Sequence, residues 1–156
     1  MIGLEIKLYE NKFHKAFKEI NLHWLKKYEL YEKADDALLN NPEEFIKNGG
    51  TILLAHLNNK IVGTICINPI NKTTSEILKF AVLEGYKGWG IGKMLMNSGI
   101  DFCKKNNKKT IILESSSKLE NALNMYKKFG FKHIKFKETH FATADIKMKL
   151  KLKWWI

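Results

Sequence analysis

The sequence predicts an α+β domain built on a mixed β-sheet. Strand-like and helix-like segments follow one another in the order strand, helices, three strands, helix, strand, helix and two strands. Such runs of strands favour an α+β fold over a doubly wound one, in which strands and helices alternate strictly. The chain has 156 residues, only two prolines and no linker-like or repeated segment. Since one hydrophobic core commonly serves about 100–200 residues, we expect a single domain over residues 1–156.

The first third of the chain is predicted to form one strand and three helical segments. Residues 4–9 alternate between apolar and polar side chains, which is typical of a strand. Apolar residues then recur every three or four positions over 13–31, which predicts an amphipathic helix with an interruption near Asn21. A short helical segment is expected at 35–39, and another, opened by a proline, at 42–48.

The remainder of the chain supplies most of the sheet and two longer helices. Asn58-Asn59 separates two strand-like runs, Thr51–Leu57 and Lys60–Asn68, and this pattern predicts a hairpin. The further elements are a strand at Ser75–Leu83, a helix from about Ile91 to Asn106, a strand at Thr110–Leu113, a helix at Lys118–Phe129 that Gly130 ends, and strands at Phe131–Phe136 and Ala144–Leu152.

Composition places the chain among globular proteins with an excess of positive charge. The net charge is +11, and all of the basic residues counted in it are lysines. No apolar stretch approaches the ~20 residues of a membrane-spanning helix, and the N-terminus lacks the apolar run of a signal peptide, so we expect a cytoplasmic protein without a membrane segment. The charge leaves nucleic-acid binding open as a weaker option. Two observations argue against nucleic-acid binding. The lysines are scattered along the sequence, and the chain has no arginine, the residue that most often makes the specific contact to guanine.

The cysteines and histidines do not point to a metal site or a covalent nucleophile. Cys66 and Cys103 form no C-x-x-C pair, and each lies in an apolar segment that favours a buried core position. The five histidines lack the spacing of a zinc site. We therefore expect neither a disulfide nor a bound metal.

The glycine-rich stretch between a strand and a helix, residues 83–95, carries the clearest chemical signal. Glycines stand at alternate positions from Gly88 to Gly92, with Lys87 and Lys93 on either side. The free N–H groups and the dipole of a helix start attract a phosphate, and glycine allows it to approach closely. The stretch therefore predicts a phosphate-binding loop. Its spacing fits neither the P-loop nor the dinucleotide-binding fingerprint.

Three segments resemble the GNAT superfamily of acyl-CoA-dependent N-acetyltransferases. Lys87-Gly-Trp-Gly-Ile-Gly92 is similar to the family's Arg/Gln-x-x-Gly-x-Gly/Ala loop, with lysine at the Arg/Gln position. Ala122-Leu-Asn-Met-Tyr-Lys-Lys-Phe-Gly-Phe131 resembles its Ala-x-x-x-Tyr-x-x-x-Gly-Phe segment, and Val62-Gly63 stands at its usual Val-Gly position. The resemblance covers about residues 4–150. It implies a mostly antiparallel central sheet, helices on both faces, and two strands that splay apart at the acyl-CoA site.

The resemblance implies acetyl-CoA as co-substrate and no metal. The loop amides would hold the pyrophosphate, and the main chain of the preceding strand would contact the pantetheine arm. At the position where the family often has an Asn, this chain has Leu119, and the serines at 115–117 are the candidate replacements. The cofactor-binding residues implied in this way are Phe80, Ala81, Val82, Lys87, Gly88, Trp89, Gly90, Ile91, Gly92 and Lys93.

The resemblance also implies residues for the chemistry. Acyl transfer to an amine needs a neutral amine, a stabilised oxyanion and a proton for the departing thiolate. Tyr126 matches the family's general acid or donor to the coenzyme A sulfur, although it could be a core aromatic alone. Glu76 is the candidate general base, with an ordinary solvent-facing carboxylate as the equal alternative. A backbone N–H near Val82 is implied as the oxyanion donor.

The acceptor site is implied to lie between the early helices and the loop that joins the last two strands. The candidate substrate-binding residues are Trp24, Tyr28, Tyr31 and His140, with Glu32 and Phe141 near them.

We therefore predict an N-acetyltransferase that transfers an acetyl group from acetyl-CoA to a primary amine by direct attack in a ternary complex. The alternative is a non-catalytic acyl-CoA-binding sensor or anion-binding module. The sequence does not specify which amine is the acceptor. Trp154-Trp155, large and apolar at the chain end, would either dock on the body or take part in a homodimer contact.

Overall fold

The computed structural model, which describes residues 3–136 and 141–153, shows a seven-stranded sheet with helices on both faces. The strands are β1 (Leu4–Leu8), β2 (Thr51–Leu57), β3 (Lys60–Pro69), β4 (Thr74–Val82), β5 (Thr110–Ser115), β6 (Lys132–His133) and β7 (Ile146–Lys151). The α-helices are α1 (His14–Lys27), α2 (Asp36–Asn40), α3 (Pro42–Lys47), α4 (Ile91–Lys105) and α5 (Glu120–Phe129).

The sheet is mixed and mostly antiparallel, as predicted. Its strand order is β1-β2-β3-β4-β5-β7-β6. β4 and β5 run parallel, joined by the crossover helix α4, whereas the other neighbouring strands run antiparallel. Two buried clusters lie on opposite faces of the sheet: one is shared with α4 and α5, and the other with α1 and α2.

The central hairpin forms at the predicted turn. Asn58 and Asn59 both have positive φ, 49° and 72°, as a two-residue turn with the twist of a hairpin requires. β3 is buried along most of its length, because α1 contacts one of its faces and α4 the other. A Cβ at Gly63 would lie 2.6 Å from Leu95 Cδ1. Glycine at this position therefore allows α4 to pack closely on β3.

The first long helix differs from its prediction in length and in continuity. α1 ends at Lys27 instead of near residue 31, because Glu29 takes up a left-handed conformation with φ of 55°. The predicted interruption at Asn21 is wrong. The buried Asn21 amide donates to the Phe17 carbonyl oxygen (2.9 Å) and to Thr64 Oγ1 (3.1 Å), so that its polar side chain is satisfied within a continuous helix.

Several boundaries in the second half also shift. β5 extends two residues past its prediction, to Ser115, and the strand predicted over 131–136 is confined to β6. α5 begins at Glu120, two residues late, because the preceding segment is held in a turn. There the Asp145 carboxylate accepts hydrogen bonds from the backbone N–H (2.8 Å) and the hydroxyl (2.7 Å) of Ser117.

The longer helices are amphipathic, and α4 with 15 residues is the longest. In the described part of the chain, no helix is long and apolar enough to cross a membrane. Cys103 on α4 and Cys66 on β3 are buried, as predicted. Burial raises the pKa of both thiols, and that of Cys103 to about 11.

Candidate active site

The site begins where two neighbouring strands separate. β4 pairs with β3 as far as Val82, but its parallel pairing with β5 covers only Thr74–Ile77 against Thr110–Leu113. Beyond these residues β5 continues to pair with β7, while the edge of β4 that faces β5 is left without a strand partner. The result is an open gap between two parallel strands, as the resemblance implies.

β4 carries a β-bulge beside this gap. The register against β3 shifts between Thr64 and Cys66, so that β4 accommodates one extra residue. Lys79 lies in the bulge with a φ of 48°, and its carbonyl oxygen accepts a hydrogen bond from Thr64 Oγ1 at 2.8 Å. The bulge directs the Lys79 ammonium to Asp35, with which it forms a buried ion pair.

Helix α1 is tied to the end of β4. Trp24 Nε1 donates to the Val82 carbonyl oxygen at 2.7 Å, and the Tyr28 ring stacks on the Trp24 ring at a centroid distance of 6.0 Å. Glu84, two residues beyond β4, pairs with Lys27 of the same helix. These contacts fix the point at which β4 passes into the glycine-rich loop.

The glycine-rich loop leads into the start of α4, which has no side-chain cap among the described residues. Gly90 takes a left-handed conformation with φ of 77°, and a Cβ there would meet nothing within 4 Å. It is the N-cap residue of α4 and provides no side-chain hydrogen bond, so the first-turn N–H groups have no capping side chain. Lys87 and Lys93 are exposed next to this turn. The geometry suits an anion such as a phosphate.

The other loop residues differ in whether they are buried or exposed to a ligand. Ile91 packs its side chain into the core and exposes only its main chain to the loop. A Cβ at Gly92 would lie 2.9 Å from Met125 Cε and 3.4 Å from Phe80 Cζ, so glycine brings the helix start against β4 and α5. Trp89, in contrast, is 46% exposed.

Tyr126 of α5 lies against the far side of the gap. It is 6% exposed, and its ring centroid lies 6.0 Å from that of Phe80 and 5.8 Å from that of Phe131. No other described residue forms a hydrogen bond with its hydroxyl. Burial raises the pKa of the phenol well above its ordinary value. The ring therefore serves as core packing, while the hydroxyl is a protonated donor at physiological pH.

The gap holds a cavity of about 160 Å³. Its lining is mainly apolar and comes from α1, β4, β5, α5 and the segments before α2 and β7. The apolar lining includes Trp24, Leu25, Leu30, Phe80, Leu119, Tyr126 and Phe141, and the polar lining includes Asn21, Asp35, Lys79, Glu114, Ser115, Ser116 and Thr143.

Glu32 joins the two segments that close the cavity. Its carboxylate accepts hydrogen bonds from the backbone N–H groups of Ala142 and Thr143, both at 2.9 Å, and from the Thr143 hydroxyl. Desolvation opposes ionisation, but these hydrogen bonds and the nearby Lys79 charge outweigh it and lower the pKa of Glu32. The ionised carboxylate thus holds the loop before β7 against the segment before α2.

The residues predicted to bind the acceptor do not all line the cavity. Trp24 lines the cavity, and Tyr28 stacks behind it. Tyr31 is exposed and donates its hydroxyl hydrogen bond to Asp36, outside the lining. His140 and the terminal Trp154-Trp155 pair lie outside the described residues.

Glu76, the predicted base, is buried at the level where β4 and β5 still pair. It is 4% exposed and lies opposite Asn68 on β3 and Ile112 on β5. The alternative of a solvent-facing carboxylate is therefore wrong. Glu76 is not part of the cavity lining. Its role as a base stays a prediction.

Two carboxylates that the sequence analysis missed do line the cavity. Asp35 is fully engaged: one oxygen pairs with Lys79, and the other accepts the backbone N–H of Glu32 at 2.8 Å. Glu114 at the end of β5 is different, because its buried Oε1 has no hydrogen-bond partner among the described residues. The sequence feature that could have indicated Glu114 was an acidic residue directly after the apolar run at 111–113.

Comparison with known proteins assigns this arrangement to a family. The sequence model of the "Acetyltransferase (GNAT) family" matches residues 16–131. The chain therefore belongs to the GNAT family of acetyltransferases, which confirms the resemblance. The described residues contain no group of three or more His, Cys, Asp or Glu side chains that could hold a metal ion.

Curated relatives include two eukaryotic proteins. The chain is 28% identical over 106 residues to the probable N-acetyltransferase san of Drosophila melanogaster, covering 65% of this chain and 58% of that protein. It is 27% identical over 107 residues to N-alpha-acetyltransferase 50 of Danio rerio, covering 66% and 64%. The chain thus spans about three fifths of the length of these relatives.

Solved structures match over nearly the whole chain. An acetyltransferase of the GNAT family from Staphylococcus aureus Mu50 has a TM-score of 0.86 at 27% identity, covering 96% of this chain and 99% of that one. The PaiA N-acetyltransferase of Thermoplasma acidophilum, solved with coenzyme A, has a TM-score of 0.79 at 19% identity, covering 97% and 100%. The predicted fold is thereby confirmed.

Proposed function

We propose that this chain is an N-acetyltransferase that transfers the acetyl group of acetyl-CoA to a primary amine by direct attack in a ternary complex. One juxtaposition carries the proposal. The uncapped start of α4 touches Phe80, where a Cβ on Gly92 would lie 3.4 Å from Phe80 Cζ. Phe80 in turn packs on Tyr126 at 6.0 Å. The start of α4 thus adjoins Phe80, and Phe80 and the buried phenol of Tyr126 both line the cavity.

The residues of the gap fit acetyl-CoA, and the PaiA structure contains coenzyme A. The first-turn amides from Gly90 to Lys93 would bind the pyrophosphate, and Lys87 adds positive charge. The pantetheine arm would run along the unpaired edge of β4. Because the Val82 carbonyl already accepts a hydrogen bond from Trp24, the remaining main-chain groups of 80–82 are the proposed contacts and oxyanion donors.

The chemistry needs one proton acceptor and one proton donor. An alkylammonium with a pKa of ~10.4 must lose a proton before its nitrogen can attack the thioester carbonyl. The Glu114 carboxylate, which lines the cavity and whose Oε1 has no hydrogen-bond partner among the described residues, is our candidate for this step, with Glu76 as the second candidate. When the C–S bond breaks, the Tyr126 hydroxyl would donate a hydrogen bond to the departing thiolate, and the thiolate would take up the second proton, which the attacking nitrogen loses as the amide forms.

The test is release of free thiol from acetyl-CoA in the presence of a panel of primary amines. Tyr126→Phe keeps the ring that packs on Phe80 and Phe131, so it should fold normally and lower kcat by about 10²-fold. The matched control is Tyr9→Phe, which removes a buried hydroxyl that has no partner among the described residues and is not part of the cavity lining, and it should leave kcat unchanged. Coenzyme A binding without turnover on any amine would contradict the proposal and favour a sensor.

A further inference from the structure

Four lysines project from one face of the outer strands. Along β7, lysines alternate with Met148 and Leu150, which pack into the cluster shared with α4 and α5. The lysines therefore point to the opposite face, because successive side chains of a strand alternate. Lys132 of β6 lies directly across from Lys149 and shares its face. We call this set the lysine row: Lys132, Lys147, Lys149 and Lys151.

The lysine row faces away from the packed parts of the protein. On this face of the sheet, the cluster beneath α1, α2 and α3 includes side chains of β2, β3 and β4 but none of β5, β6 or β7. Lys132 and Lys151 are exposed, and Lys147 and Lys149 are partly exposed. Within residues 3–136 and 141–153, none of the four forms an ion pair. The row is thus a set of lysines, at least partly exposed, that make no ion pair with any described residue.

The row leads to the cavity. Lys147 lies directly across from Glu114, and both side chains are on the same face of the sheet. From Lys147 to Lys151 the row extends about 13 Å, at about 3.3 Å per residue. The charges follow one another in order along this path: Glu114, whose buried Oε1 has no partner among the described residues, lines the cavity, and the four lysines lie outside the lining.

An acceptor that complements this order of charges carries an amine at one end, which would lie at Glu114, and acidic groups farther along its chain, which would lie at the lysines. We propose that the acceptor is an acidic polypeptide whose carboxylates bind the lysine row while its amine enters the cavity at Glu114. The inference rests on the proposed function. Charge complementarity also fits a nucleic acid, but a nucleic acid carries no aliphatic amine for the cavity. The acidic residues should extend over about four positions, the span of the row in an extended chain.

The experiment compares two peptides of equal length that share a free N-terminal amine. One carries glutamates at the following positions, and the other carries glutamines there. The wild-type protein should acetylate the glutamate peptide about three- to tenfold more efficiently, and this preference should fall at high salt. Fluorescence anisotropy of each labelled peptide on the coenzyme A complex should show the same preference without turnover.

Lys149→Gln/Lys151→Gln should remove most of the preference and leave acetylation of butylamine unchanged. The matched control is Lys104→Gln/Lys105→Gln in the last turn of α4, which lowers the net charge equally and should keep the preference. Equal rates for the two peptides, or a preference that survives in Lys149→Gln/Lys151→Gln, would overturn the inference.

Two further outcomes are distinguishable. If butylamine is acetylated but neither peptide is, the inference fails while the proposed function stands. If no amine supports thiol release, the proposed function itself fails. Binding of a single-stranded oligonucleotide that disappears in Lys149→Gln/Lys151→Gln, without any peptide preference, would assign the row to nucleic acid and also overturn the inference.

Discussion

At the level of single residues, two glutamates compete for the role of the base. Glu76 lies between strands that still pair, whereas Glu114 lies one residue beyond the last paired position of β5 and lines the cavity. A buried carboxylate oxygen without a partner is costly to desolvate, and such a group commonly has a functional reason. Location and hydrogen bonding therefore both favour Glu114.

The isosteric variants Glu114→Gln and Glu76→Gln separate the two candidates. Glu114→Gln should lower kcat by about 10²-fold, because the amide cannot accept the proton. Glu76→Gln should change kcat by less than about threefold and affect mainly the free energy of unfolding. Thiol release measured over a pH series, with urea unfolding of both variants, provides the comparison. A larger catalytic loss in Glu76→Gln would assign the base to Glu76.

Most of the predicted site residues came from motifs, among them Tyr126 and the loop from Lys87 to Lys93, whereas Trp24 came from the placement of the early helix. Asp35, Lys79 and Glu114, which also line the cavity, were not predicted. Lys79 reaches Asp35 because of a bulge with φ of 48°, a conformation that lysine seldom adopts and that no local pattern indicates. Contacts set by strand register cannot be derived from residue spacing.

At the level of elements, β4 and the start of α4 do most to shape the site. β4 pairs with β3 on both sides of the bulge at Lys79, and beyond Ile77 no described strand pairs with its other edge, so it can pair with an extended ligand through main-chain groups. Trp24 and Glu84 tie its end to α1, and Gly63 allows α4 to approach β3. The position of the anion-binding turn therefore depends on packing from both faces of the sheet.

Gly90 provides the test of this turn. Gly90→Asp places a carboxylate beside the first-turn amides, where it would repel a pyrophosphate and occupy its hydrogen-bond donors. Affinity for coenzyme A, measured by calorimetry, should fall by more than about tenfold. Gly90→Asn is the matched control: both side chains tolerate a φ of 77°, and the added Cβ meets nothing within 4 Å, so the two variants should melt alike. Unchanged affinity in Gly90→Asp would contradict the loop assignment.

For the whole molecule, the sequence predicted which elements form better than it predicted how they are arranged. Hydrophobic periodicity and the Asn58-Asn59 turn identified the strands and helices, apart from their ends. The sequence did not reveal that β7 lies between β5 and β6 in the sheet, because the order of the strands arises from long-range pairing. The lysine row depends on the same pairing. A net charge of +11 does not by itself predict a binding surface, because strand register determines where the charge is concentrated.

Acid should destabilise the folded protein through His56. This side chain of β2 is 7% exposed, packs edge-on against Phe13 at 4.9 Å, and has a buried Nε2 without a hydrogen bond to any described residue. Desolvation, helped by the charge of Lys7, lowers its pKa below the ordinary value. As the pH falls below about 6.5, the unfolded chain binds a proton that the folded protein still excludes, so the free energy of unfolding decreases.

Urea unfolding between about pH 7.5 and pH 5 measures this decrease, and each tenfold difference in proton affinity contributes about 1.4 kcal/mol. His56→Gln should flatten the dependence, whatever its effect on stability at neutral pH. His133→Gln is the control, because His133 is exposed on β6. The carboxyl groups whose pKa is lowered, Glu32, Glu84 and Asp145, lose their contribution only in more acidic solution. A slope that persists in His56→Gln would therefore exclude His56 as the group responsible.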